Sequence, residues 1–278
     1  MGDAKNRDGK ITGKITMDAT TEILDLPQGE ITVSRKGSGQ QLLLLHGGGG
    51  PVINHPFADV LAQNFELISP IHPGFNGTPV PDHFDWMSDL VHFYLDVLDA
   101  LKIDNAVVMG FSMGGWLAAE LTAMSCAKFS RLILVDAVGV KHGGPTDRDI
   151  ADVFGMAAPA LAAIMWHDPS KAPDLGTLTD EQLEMVAGNR AALGLYTWEP
   201  YMHNPKLRHW LHRINIPTKL IWGASDGLVT PEYGEKYAKL IPGAEFVTIP
   251  EAGHSPQGEQ PEKFVAEVMR FIGEGAAA

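Results

Sequence analysis

Three side chains of the kinds that together turn an alcohol into a nucleophile follow one another along this 278-residue chain: Ser112, Asp226 and His254. A serine hydroxyl is a poor nucleophile at neutral pH. A neutral imidazole must take its proton as it attacks a carbonyl carbon, and the resulting imidazolium needs a fixed carboxylate to hold its tautomer and its charge. Ser112 lies within Gly110-Phe111-Ser112-Met113-Gly114. The run Asn105 to Met109 before it reads as a short buried strand, and Gly115 to Leu121 after it carries apolar residues at helical spacing, so the serine falls on a strand–turn–helix junction. A turn this tight drives Ser112 toward positive φ, and a side chain at Gly110 or Gly114 would collide with the neighbouring elements. The hydroxyl is thereby lifted clear of the sheet, and the N–H of Met113 is left at a helix N-terminus, where developing negative charge is stabilised.

The acid and base stand in the order this geometry demands. Lys219 to Gly223 reads as a strand ending in a turn, with Asp226 just beyond it. His254 lies in Glu251-Ala252-Gly253-His254-Ser255-Pro256, past the apolar strand Phe246 to Ile249, so both residues belong on loops at the sheet edge that Ser112 occupies. Attack on a carbonyl creates an oxyanion, which needs two N–H donors. Met113 is one. The other comes from the glycine run His46-Gly47-Gly48-Gly49-Gly50-Pro51 after the strand Leu42 to Leu45, with Gly48 and Gly49 as the candidates.

The elements that must position these residues are legible as alternating patterns. Short β-like runs at 30–34, 42–45, 66–69, 106–110, 131–135, 218–222 and 245–249 alternate with helical stretches at 86–101, 113–125, 231–240 and 260–272. This predicts an α/β fold with a mostly parallel central sheet flanked by helices. Between Gly139 and Arg213 helical patterns persist with no convincing strand, so 139–213 is expected to form a helical cap, or lid, over the catalytic edge, excluding water and choosing substrates. Residues 21–138 and 214–278 form the expected core, and the polar, glycine-rich stretch 1–20 reads as a flexible arm.

With these motifs in place, the chain resembles the α/β-hydrolase superfamily from about residue 28 to 273. The resemblance rests on the His-Gly-Gly-Gly-Gly loop at 46–50, the His72-Pro73-Gly74-Phe75 turn with Gly77, the elbow at 110–114, and the Asp226 and His254 loops. It implies an α/β-hydrolase fold with the cap inserted after the sixth strand, and an oxyanion hole, structural turn, nucleophile, acid and base at those positions. Asp136, at the end of the strand Leu132 to Val135, stands where some relatives place their acid, and is the alternative to Asp226. The activity implied is a serine hydrolase, carboxylesterase-like, cleaving a small or medium ester through an acyl-enzyme. Two alternatives are carried: a carbon–carbon bond hydrolase acting on meta-cleavage products with the same triad, and a receptor-like ligand binder with slow turnover. Members of the first usually carry tryptophan directly after the catalytic histidine, where this chain has Ser255. Ser112 argues against relatives that use an aspartate nucleophile.

Composition bounds the rest. A chain that is 45% hydrophobic has enough apolar material for one large core with an appended lid. The net charge of −13 argues against nucleic acid and fits a small neutral or apolar substrate. No apolar signal core stands at the N-terminus and no run reaches the ~20 apolar residues needed to cross a bilayer, so a soluble, cytoplasmic protein is expected. The single cysteine, Cys126, permits no internal disulfide. No cofactor is implied. His203, His209 and His212 do not share a helical face, so no metal is expected. His46 and His72 read as structural, and Asp82, Asp85 and Asp89 as a helix start. Within the cap, Trp166, Trp198 and Met165 are candidate substrate contacts. Arg190 is either a fork for a substrate carboxylate or a solvated charge on a helix face.

Overall fold

The computed structural model describes residues 18–273; the expected arm therefore lies almost wholly outside the described residues. The chain runs β1 (Thr20–Leu26), β2 (Gly29–Gly37), β3 (Gln40–Leu45), α1 (Pro56–Leu61), β4 (Phe65–Pro70), α2 (Met87–Ala100), β5 (Ala106–Phe111), α3 (Met113–Met124), β6 (Phe129–Val135), α4 (Ala158–Met165), α5 (Asp180–Thr197), β7 (Thr218–Gly223), α6 (Pro231–Ala238), β8 (Glu245–Ile249), α7 (Pro256–Glu259) and α8 (Pro261–Gly273), with single 3-10 turns between. The eight strands form one sheet in the order β1-β2-β4-β3-β5-β6-β7-β8. Pairings from β4 to β8 are parallel, while β1 with β2 and β2 with β4 are antiparallel. This is the α/β-hydrolase fold expected from the sequence.

The predicted alternation of strands and helices recurs, with the short helices α1 and α7 and the strand β1 added. β1 is absent from the apolar runs because it is an exposed edge strand: Ile23 is 64% exposed, and the residues around it are polar. Such a strand is recruited by its hairpin with β2, not by burial. The central strands are the opposite case. All six residues of β5 and of β7 are buried, which produces continuous apolar runs with no alternation.

Helices cover both faces of the sheet. On one, Phe57 and Leu61 of α1 pack with Phe264, Val268 and Phe271 of α8. In α8 the buried residues Phe264, Val268, Phe271 and Ile272 recur at helical spacing, so one stripe of an otherwise polar helix reaches the core. The other face is covered by α2, α3 and α6 through Tyr94, Trp116, Leu117, Tyr233 and Tyr237. Trp116 is fully buried, packing beside the sheet as its spacing implied. The start of α2 is fixed by Asp89, whose carboxylate accepts the N–H groups of Asp85 and Trp86. Between β6 and β7 no strand occurs; α4, α5 and four 3-10 turns fill the interval, whose beginning and later part are tied together by an isolated bridge between Gly139 and His203. No helix among the described residues is long and apolar enough to cross a membrane.

Candidate active site

Because β3, β5, β7 and β8 run parallel, the loops that leave their C-terminal ends meet at one edge. Ser112 occupies the junction of β5 and α3 with φ of 50° and ψ of −113°, the strained elbow anticipated from its flanking glycines. Those glycines are required by contact. A methyl group on Gly110 would strike the carbonyl of Gly114, and one on Gly114 would strike the carbonyls of Leu45 and His46.

The serine meets the two later loops. Ser112 Oγ lies 3.0 Å from His254 Nε2, and His254 Nδ1 lies 2.7 Å from Asp226 Oδ2. Asp226 is itself anchored: its Oδ1 accepts the N–H groups of Leu228 at 2.9 Å and Val229 at 3.0 Å. A carboxylate held by two backbone donors keeps its orientation, so the imidazole N–H it accepts is held as well. With Nδ1 donating to Asp226, Nε2 is the acceptor facing the serine proton, which is the tautomer a general base requires.

Asp136, the alternative acid, is almost fully buried at the end of β6, with φ of 43°. Its Oδ1 accepts the N–H of Gly223 at 2.8 Å and its Oδ2 has no hydrogen-bond donor. Burial, and then the neighbouring charge of Asp226, push its carboxyl well above the usual range. The carboxylate in contact with His254 is that of Asp226.

The glycine loop passes directly beside Ser112. A methyl group on Gly47 would sit 3.1 Å from Ser112 Cβ, and one on Gly48 would meet Leu193 of α5 at 2.8 Å. The loop turns on itself through the Gly50 N–H to the Gly47 carbonyl at 3.1 Å. Two buried histidines support it from below. The N–H of His72 donates to His46 Nε2 at 3.0 Å, and His72 Nε2 lies 3.0 Å from the His46 carbonyl. Tyr94 Oη lies 2.6 Å from His72 Nδ1. Burial lowers His46 to about 4 and takes His72 well below its ordinary value, so both rings are neutral and their tautomers are set by these bonds.

The interval between β6 and β7 is fastened to the site at two places that sequence patterns did not disclose. At the first, the carbonyls ending α4 accept backbone donors from the acid and base loops: Ile164 O from Gly227 at 2.8 Å and Met165 O from His254 at 2.6 Å. Beside them, Glu259 of α7 accepts the N–H of Gly253 at 2.6 Å on one oxygen and that of His167 at 2.9 Å on the other. At the second, buried Asn189 of α5 accepts the N–H of Asn76 at 2.7 Å and donates to the carbonyl of Gly49 at 3.3 Å.

The remaining predicted residues fall into two groups. Met165 and Trp166 lie over the Gly253–His254 loop. Trp198 is 60% exposed, packed edge-on against Phe154 at 5.6 Å. With Asp85, Phe154, Leu195 and Glu199 it lines a groove of about 710 Å³ that includes none of Ser112, Asp226 and His254. Arg190 borders the same groove: exposed on α5, its guanidinium donates through Nη2 to the carbonyls of Val153 at 2.6 Å and Phe154 at 3.3 Å. His203, His209 and His212 are not brought together. Among the described residues, the group with three ligand atoms close enough to hold an ion is Asp136, Asp226 and His254.

Comparison with known proteins gives this geometry a context. The profile of the alpha/beta hydrolase family matches residues 42–268. The chain is 27% identical over 239 residues to a pimeloyl-[acyl-carrier protein] methyl ester esterase of Aromatoleum aromaticum, covering 80% of this chain and 93% of the relative. It is also 27% identical over 261 residues to a 2-hydroxy-6-oxononadienedioate/2-hydroxy-6-oxononatrienedioate hydrolase of Burkholderia vietnamiensis, covering 85% and 88%. In fold it is similar to a serine hydrolase from Cycloclasticus zankles, with a TM-score of 0.75 at 19% identity, over 93% of this chain and 99% of that one.

Proposed function

This chain belongs to the alpha/beta hydrolase family, and from that premise we propose that it cleaves a small or medium carboxylic ester through an acyl-enzyme on Ser112. The observation that carries the reading is the continuous line from Asp226 through His254 to Ser112, 2.7 Å and 3.0 Å long, ending on a hydroxyl held at a strained backbone. In this reading His254 Nε2 takes the proton of Ser112 Oγ as the oxygen attacks the ester carbonyl, and Asp226 stabilises the imidazolium. The N–H of Met113, with Gly48 or Gly49 from the glycine loop, receives the oxyanion. His254 then returns the proton to the departing alcohol, and water, activated by the same ring, releases the acid.

Residues 139–213 act as the cap in this scheme. Among them, Leu193 sets its side chain above Gly48, and Met165 and Trp166 bring their backbone against Gly253 of the base loop. These are the side chains proposed to meet the acyl and alcohol groups and to keep water out. The methyl ester esterase relative supports ester cleavage. The carbon–carbon bond hydrolase relative, matched at the same identity, supports a second reading with the same three residues acting on a vinylogous diketone.

The deciding experiment is steady-state hydrolysis of p-nitrophenyl esters, graded from acetyl to long acyl chains, by wild type and Ser112→Ala. Turnover that falls at least about a thousandfold in the variant is expected. No ester turnover in wild type, with cleavage of a vinylogous diketone instead, would replace the first reading by the second.

A further inference from the structure

The unsatisfied carboxyl oxygen behind the acid is the feature that the acyl-enzyme scheme leaves unused. Asp136 and Asp226 come from successive strands, β6 and β7, and their carboxyl oxygens, together with a ring nitrogen of His254, lie within 4.8 Å of one another. Each carboxyl has one oxygen fully committed to backbone: Asp136 Oδ1 to Gly223, Asp226 Oδ1 to Leu228 and Val229. The second oxygen of Asp226 takes the imidazole N–H of His254. The second oxygen of Asp136 is buried and no donor among the described residues reaches it.

An ionised Asp136 would place two full negative charges side by side, away from water, with no cation between them while His254 is neutral. A neutral Asp136 removes the conflict. Its Oδ2 then carries a proton and becomes a donor, and the carboxylate alongside is the acceptor it needs. We propose that Asp136 holds a proton at neutral pH and donates it in a hydrogen bond to the Asp226 carboxylate, making Asp136 a positioning residue for the acid of the triad. The functional half of this statement rests on the triad reading above; the placement of the proton does not.

Several details of the fold favour this arrangement. Asp136 cannot swing away, because its own N–H is bonded to the carbonyl of Ile221 at 3.1 Å while its side chain bonds the N–H two residues on, clamping β6 to the end of β7. The groups whose charge reaches it are Asp226 and Glu259, both acidic, which favour the neutral form. His254 lies beside it, on the far side of Asp226 Oδ2. The pair then holds one negative charge, balanced by one positive charge when His254 is protonated. The extra donor fixes a further lone pair of Asp226.

The test is an infrared difference spectrum between wild type and Asp136→Asn at pH 7, repeated with ¹³C-aspartate, together with the kinetics of three variants. A protonated-carboxyl C=O band that shifts with the label and vanishes in Asp136→Asn is expected. Asparagine reproduces both bonds, accepting from Gly223 and donating to Asp226, so Asp136→Asn keeps at least about a third of kcat. Asp136→Ala, lacking the donor, loses about tenfold or more in kcat with KM little changed. Asp226→Asn is far worse than Asp136→Asn. A wild-type spectrum without the band overturns the proposal whatever the variants do, and so does Asp136→Asn falling as far as Asp226→Asn. If a fluorophosphonate fails to label Ser112 while the band persists, the triad reading has failed and the positioning role with it, whereas the proton assignment stands.

Discussion

The carbonyl oxygen of Met165 accepts the backbone N–H of His254 at 2.6 Å, so the last residue of α4 is bonded to the base of the candidate site itself. Ile164, one residue earlier, holds Gly227 beside the acid in the same way. A helix C-terminus offers carbonyls that have no partner within the helix, and here they are satisfied by the two loops that must be held in register. Placement of α4 and placement of the imidazole are therefore one structural problem.

Glu259 makes that coupling measurable. Its carboxylate joins Gly253, next to the base, to His167, just past α4. Glu259→Ala leaves two N–H groups without their acceptor, and a fall of about tenfold in kcat is expected with a smaller change in KM. Ester kinetics and thermal melting of the same preparation check it: a lowered melting point with kcat intact would assign Glu259 to stability alone.

Asn189 clamps α5 to the glycine loop through Asn76 and Gly49. Asn189→Ala should cost ~1–3 kcal/mol of stability, the penalty for unpaired buried amide groups. It should also lower kcat, because the proposed oxyanion donors of the glycine loop lose their support. Urea unfolding and esterase assays on one variant give both numbers, and unchanged kcat would separate the clamp from the chemistry.

Stability should fall with acid in a window set by the buried histidines. In the unfolded chain a histidine titrates near 6.5, whereas burial lowers His46 to about 4 and His72 well below its ordinary value. The folded state binds fewer protons, so their contribution is complete above about pH 6.5 and is lost progressively as the pH falls toward 4; for His46 alone this amounts to roughly 3 kcal/mol. Urea unfolding at pH 7.5, 6 and 5 should show this decline, with a shallower slope in His46→Asn. Equal slopes in the two proteins would remove His46 from the linkage.

Gly114→Ala should fail to give a native elbow. The added methyl group meets two backbone carbonyls, from Leu45 at the end of central strand β3 and from His46 just beyond it, which are held in place by the sheet. The expected loss is ~4 kcal/mol or more, at the far end of single-residue effects. Circular dichroism and a melt would reveal it, and a native-like melting point would show that β3 gives way.

How much of this was visible in the chain follows from the kind of signal each part leaves. Ser112, Asp226 and His254 stood out because each follows an apolar run, and buried parallel strands such as β5 and β7 write such runs plainly. β1 left almost no trace, since an exposed edge strand needs few apolar residues. Glu259, Asn189 and Asn76 were equally invisible. Their partners are backbone N–H and C=O groups distant in sequence, up to 140 residues away, and no periodicity records such a bond. The Gly74-Phe75-Asn76-Gly77 turn was the one available hint, since Asn76 holds φ of 51° there. The backbone partners of Arg190 were likewise unreadable, because a cationic residue on a helix says nothing of the carbonyls of Val153 and Phe154 nearby.

Ser112 and His254 meet across a sequence separation of 142 positions. A ribosome therefore delivers the proposed nucleophile long before its proposed base, and in that scheme the serine stays an ordinary alcohol until β8 has docked at the edge of the sheet. On the proposed scheme reactivity is withheld from every truncated or half-folded product of translation, and a reagent that labels Ser112 would report on completion of the fold as faithfully as on chemistry.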